Sequence, residues 1–257
     1  MIQRVMNSHK YLKLRLLLKI FRIAKPKRLI VHWLKILFRS EAQLFQELFV
    51  ASVLGLKKQG FFVEVGGTDG ILMSNTLILE QMGWKGVIFE PCKYWHSELS
   101  NNRNCLLDFR AVTDQDHQKL KFSETLLPEL STITSMKPDD FWTASRLNSK
   151  DYLVDTITLN VGLSEIAFPT ELDYLSIDTE GSELEVLMGL NMRKYQIKVI
   201  TVEHAGDRVK QEKIKTLLQE NGYQQIFEGE TFWDDWYLHD SLYNELKQKG
   251  RFIEKQH

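Results

Sequence analysis

Two cysteines, Cys92 and Cys105, are all that the 257-residue chain contains. That number and that separation exclude a disulfide framework and a cysteine-based zinc site. Both read as packing residues in a reducing, cytoplasmic compartment. No apolar run approaches the ~18 residues needed to cross a bilayer. The N-terminus lacks a small-residue cleavage site behind an apolar core, so it does not read as a secretory leader. Acidic residues are missing altogether from residues 1–40, which hold eleven lysines and arginines. The remainder carries 22 basic residues against 34 acidic ones, although the whole chain sits at −1. A body of that sign does not suit nucleic acid, whose backbone demands positive charge. The length fits one α/β domain over 41–257, preceded by a helical extension over 1–40.

The dinucleotide fingerprint G-x-G-x-x-G is also absent. Starting at Gly66 it requires glycine at 68 and 71, where the chain has Thr68 and Ile71. What is present is Phe61-Phe62-Val63-Glu64-Val65-Gly66-Gly67-Thr68-Asp69-Gly70. An apolar, β-branched run stops at three glycines, as a buried strand stops at a tight turn. Ile71 to Met82 has apolar residues at helical spacing, giving strand, glycine turn and helix. The glycines would let the backbone turn and a ligand approach, and the helix start would offer free N–H groups. Glu64, a carboxylate inside an apolar strand, suits a ligand with an ammonium group and no phosphate. S-adenosylmethionine is such a ligand. Glu90 closes the second strand, where an acid can accept bonds from ribose hydroxyls.

Two segments, Gly60 to Pro91 and Leu172 to Leu190, resemble the signatures of the FkbM-type methyltransferase family, and Thr201 to His204 is a third, shorter match. The resemblance implies a class I methyltransferase fold: a Rossmann-like, mostly parallel α/β sheet of seven strands with helices on both faces. It implies S-adenosylmethionine as methyl donor and an oxygen acceptor on a sugar, glycan, glycolipid or related natural product. Donor-binding roles then fall on Glu64, Gly66, Gly67, Asp69, Gly70, Thr76, Glu90 and Pro91, and on Asp178 and Glu180. Asp108 and Ala111 lie where such enzymes face the adenine. Gln46 and Glu47 also match, but the family's usual glycine before them is Phe45 here. A non-catalytic donor-binding or membrane-associated scaffold of the same fold is the alternative.

Asp178 and His204 end adjacent strands and are the candidate catalytic residues. In the favoured, metal-free reading His204 takes the hydroxyl proton and Asp178 orients the acceptor or the histidine. The alternative is a divalent ion held by Asp178, Glu203 and His204, with Glu180 nearby. Residues 113–160 read as a polar, irregular insertion with alternation at Leu120 to Phe122 and at Asp155 to Leu159, and Ser131 to Ser135 is a hydroxyl cluster that either lines the acceptor pocket or faces solvent.

The extension reads as two helices, about 10–24 and 28–39, broken near Pro26. Arg15, Lys19 and Arg22 stripe the first. On the second, Arg28, His32, Lys35 and Arg39 oppose Ile30, Trp33, Leu34 and Leu37. Such helices lie on an anionic membrane surface, here its inner face, or they pack on the acidic body or a second subunit.

Overall fold

A computed structural model describes residues 2–24, 30–138 and 142–251, with side chains of the first helix described from Lys13 onward. Pro26 and Arg28 lie outside the described residues, as does the side chain of His32. The chain opens with helices α1 (Ile2–Ala24), α2 (Ile30–Arg39) and α3 (Gln46–Val53). Strand β1 (Phe61–Val65), α4 (Leu77–Gln81), β2 (Lys85–Phe89), α5 (His96–Asn102) and β3 (Leu106–Asp108) follow. Four strands come next: β4 (Ala111–Thr113), β5 (Lys119–Thr125), β6 (Thr132–Ile133) and β7 (Ser149–Thr158). The chain then alternates through α6 (Leu159–Glu165), β8 (Glu171–Ile177), α7 (Glu183–Met188), β9 (Gln196–Glu203) and α8 (Arg208–Glu220). It closes with β10 (Tyr223–Ile226), β11 (Asp234–His239) and α9 (Asp240–Gln248).

The expected seven-stranded sheet is present in the order β10-β11-β9-β8-β1-β2-β3. Only β11 runs antiparallel to its neighbours. Successive side chains on a strand point to opposite faces, and here both faces are apolar. Phe62, Ile88, Tyr174, Val199 and Trp236 pack beneath α1, α2, α3, α4 and α9. Val63, Val87, Leu175, Ile200 and Tyr237 pack with residues of α6, α7 and α8. The strand order reverses between β1 and β8, the point where open α/β sheets leave a crevice beyond their strand ends.

Two expectations need correction. Residues 113–160 are not irregular: they build most of a second sheet, ordered β4-β7-β5-β6. Its outer face is solvated, with Leu153 itself exposed, so the alternation is too interrupted to read as strand. The helix expected over Ile71 to Met82 begins only at Leu77. Side-chain acceptors take the backbone N–H groups before it and compete with helix formation. Asn75 N–H donates to Glu64, Leu77 N–H to Ser74 Oγ, and Ile78 N–H to Glu47. The N–H groups expected to face a ligand are therefore used within the protein.

Candidate active site

A cleft opens over the carboxyl ends of β1, β2 and β8, with about 810 Å³ of atom-free space including its mouth. Its floor is the turn after β1. Gly66 has φ +86°, and a Cβ there would stand 1.7 Å from the Asp178 carbonyl oxygen. At Gly67 a Cβ would meet Ile88 at 2.3 Å, and at Gly70, Arg103 at 2.5 Å. These glycines are required by neighbouring protein rather than by an approaching ligand, which corrects the reason for them and leaves their positions as read.

Glu64 lines the cleft, but a protein cation already faces it. Arg103, wholly buried, reaches Glu64 at 3.4 Å and Glu80 at 2.5 Å. The same guanidinium donates to the Gly70 carbonyl, Ser74 Oγ and Thr76 Oγ1. Thr76 Oγ1 in turn donates to Glu64 at 2.6 Å. Thr76 and Gly70 thus belong to this buried network and do not line the cleft. Asp69 caps its own turn, accepting from Ile71 and Leu72 N–H. Asp108 is bound to Arg110 and stands outside the lining.

Glu90 lies opposite, in the lining together with Pro91 and Ala111. It accepts N–H bonds from Gly67 at 3.0 Å, Thr68 at 2.9 Å and Cys92 at 2.8 Å. A carboxylate has about four acceptor positions, so one remains. Burial pushes its carboxyl up to about 7 against the pull of those three donors. Asn75 lies in the Ser74-Asn75-Thr76 run that matches the family behind the turn; the sequence offers the run as a helix cap and gives Asn75 no separate site role. It is 93% buried, donates its amide to Ser176 at 3.0 Å, and leaves Oδ1 without any partner.

The third wall is acidic. Asp178, Glu180 and Glu203 each bring a carboxylate oxygen within 4.8 Å of the other two. Solvent reaches Asp178 through the mouth, although protein surrounds it at longer range. Desolvation and the nearby Asp234 push it up to about 7. Glu180 rises to about 8 for want of water and beside Asp178, even though Arg146 is bonded to it. Burial and Asp178 drive Glu203 well above its ordinary range. Glu203 Oε2 is buried without a donor. Such oxygens suit a hard divalent ion, and the set differs from the expected one by having Glu180 where His204 was placed.

His204 does not reach the cleft. Its Nδ1 accepts from Gly206 N–H at 3.1 Å, and Nε2 faces Gln211 at 3.3 Å and Asp235 at 3.9 Å. Burial lowers its basicity. Adjacent strand residues point to opposite sides, so Glu203 carries its carboxyl toward Asp178 and His204 turns away. The proposed catalytic base is thus displaced by geometry.

Supporting residues fix the acidic wall. Glu183, fully buried, accepts from Thr179 and Gly181 N–H and is bound by Lys210 at 2.5 Å. Gln46 donates to Asp234 at 2.6 Å. Phe45 sits at φ 65°, a conformation costly for a bulky side chain, where the family pattern has glycine. Ser131 and Ile133 of the hydroxyl cluster do line the cleft, as do Trp95 and Phe122.

The family model for the methyltransferase FkbM domain matches residues 64–225. The chain belongs to the FkbM methyltransferase family. Its fold is accordingly the class I methyltransferase fold. A search of curated proteins returned no match. Among solved structures, a fibrillarin/Nop5p complex resembles the chain at 11% identity and TM-score 0.39, over 72% of this chain and 74% of that one.

The raised acids make stability pH-dependent. A folded carboxyl that holds its proton more tightly than the unfolded chain stabilises below its ordinary range near 4 and loses that effect as pH rises through its folded value. Glu90, Asp178 and Asp234 reach about 7, and Glu180 about 8. His204 acts oppositely, but only below its ordinary value of about 6.5. Calorimetric melting should therefore show a falling midpoint from about pH 6.5 to 8. A midpoint that climbs across that interval would refute the assignment of these carboxyls as protonated in the folded protein.

Proposed function

We propose that this methyltransferase takes S-adenosylmethionine and methylates a hydroxyl of a sugar, glycan, glycolipid or related natural product. The observation that carries the donor assignment is Asn75 Oδ1, a buried acceptor with no partner in the wall of the cleft. An unpaired buried carbonyl is costly, and a ligand ammonium supplies the missing donor. Glu90 has one acceptor position left for a ribose hydroxyl. Ala111, Val112, Trp95 and Phe122 give the apolar surface that a purine needs. When bound, the donor supplies a methyl group activated on a sulfonium.

The chain's own contribution is alignment, exclusion of water and handling of a proton. Orientation alone can contribute ~7–11 kcal/mol to such a displacement. An alcohol must also lose its proton as it attacks, and the ideal base has a pKa near the working pH. Asp178, pushed up to about 7 at the mouth of the acidic wall, meets that requirement. A base placed there is what an oxygen acceptor needs, since an alcohol sheds its proton as it attacks. Asp178 replaces His204 as the base in the metal-free reading.

Calorimetric titration with S-adenosylmethionine tests the donor site. The wild type should bind, and Asn75→Ala should bind about tenfold or more weakly, since a hydrogen bond to a charged group contributes ~1.5–3 kcal/mol. The absence of binding by the wild type would remove the donor assignment. Equal affinity in the variant would remove Asn75 from it.

A further inference from the structure

The two N-terminal helices are apolar on two opposite sides. Inward, α1 buries Leu16, Ile20 and Ile23, and α2 buries Trp33 and Ile36, all in the cluster beneath the main sheet. Leu14, Leu18 and Phe21 each precede an inward residue by two positions. At about 100° per residue that places them ~200° round the helix. They are exposed, and so are Val31, Leu34 and Phe38 on α2, with Phe38 82% accessible. Both helices pack on α3, and the Phe21 and Trp33 rings meet edge-on at 5.2 Å. The two exposed stripes therefore lie on the outer side of one layer. Scattered surface hydrophobics are ordinary, but two ordered stripes on neighbouring helices form a patch of the kind that marks an interaction site.

Charge identifies what covers the patch. Arg22, Lys35 and Arg39 are exposed on the same two helices, and residues 1–40 contain no acid. Arg15 and Lys19 are not part of this: both are bonded to Glu230 and hold α1 to the body. A second copy docking by the same face would bring two basic surfaces together, because a two-fold interface pairs a patch with itself. A layer of anionic headgroups brings the opposite sign and an apolar interior. Among the described residues no helix is long and apolar enough to cross a membrane, so the helices would lie in the interface plane. We propose that the outer face of α1 and α2 seats the protein on an anionic phospholipid bilayer. This goes beyond methyl transfer and does not depend on it.

The test is sedimentation of the full chain with phosphatidylcholine vesicles, with and without phosphatidylglycerol. The wild type should pellet with the anionic vesicles only, and less in high salt. Leu18→Ser combined with Phe38→Ser should lower partitioning by about tenfold or more, as loss of two apolar anchors implies. Both positions are exposed, and an unchanged melting temperature checks that the variant folds. Wild type left in the supernatant, or unaltered pelleting by the variant, overturns the proposal. So does a wild-type dimer in light scattering that the double substitution dissolves, since the face would then be covered by a second copy.

Discussion

An Arg103→Met chain should melt roughly 6–20 °C below the wild type, because removing one partner of a buried pair costs ~3–5 kcal/mol and each kcal/mol moves a domain of this size by ~2–4 °C. Arg103 is wholly buried between Glu64 and Glu80 and bonds three further groups around the turn after β1. Methionine keeps most of the volume and the packing on Phe62, whose ring lies 5.6 Å from the guanidinium. What it removes is the guanidinium that faces Glu64 inside the protein. The double variant Arg103→Met with Glu64→Gln should recover much of the loss, since the orphaned charge is gone. A melting temperature within about 2 °C of wild type for the single variant would mean that water already screens Glu64, contrary to its burial.

This pair also shows how far the residues could be read without coordinates. A carboxylate inside an apolar strand reads as the partner of a ligand ammonium, but in the fold a protein cation, Arg103, faces Glu64. The source of the cation did not follow, because Arg103 lies 39 positions away and nothing in its local pattern marks it as buried. The strand–turn unit is legible as an apolar run ending in glycines, and seven strands follow from the family resemblance; their order is seen only in the fold. The cause of the glycines is not legible, because the Cβ that Gly66 must lack would strike Asp178, from a distant strand. At the end of β9 the pattern offered Glu203 and His204 together. Alternation sends them to opposite sides, but which one turns toward Asp178 depends on how β9 packs against β8. The alternations at Leu120 to Phe122 and Asp155 to Leu159 mark only parts of β5 and β7, and strands as short as Thr132–Ile133 leave no periodicity to count, so the sheet they form together is not legible.

Asp178→Asn should lower methyl transfer by about 10²–10⁴-fold, the usual contribution of a general base. The amide preserves the shape of the side chain and its place on the acidic wall. It cannot accept the hydroxyl proton. Donor affinity should change far less than turnover, since the donor's ammonium and ribose are assigned to Asn75 and Glu90. The wild-type rate should rise with pH through about 7, where Asp178 loses its proton, and that limb should vanish in the variant. Glu180 and Glu203 titrate in the same wall, so the limb belongs to the group as a whole and the variant decides which member matters.

The most direct measurement is transfer of a labelled methyl group from S-adenosylmethionine to cell-envelope glycans, run for the wild type, for Asp178→Asn, and for the wild type with chelator. Alkali-resistant label on a sugar hydroxyl, lost in the variant and indifferent to chelator, is the predicted result. Label transferred equally well by Asp178→Asn would contradict the account. So would wild-type transfer abolished by chelator and restored by magnesium, because the acidic wall would then be a metal site rather than the base.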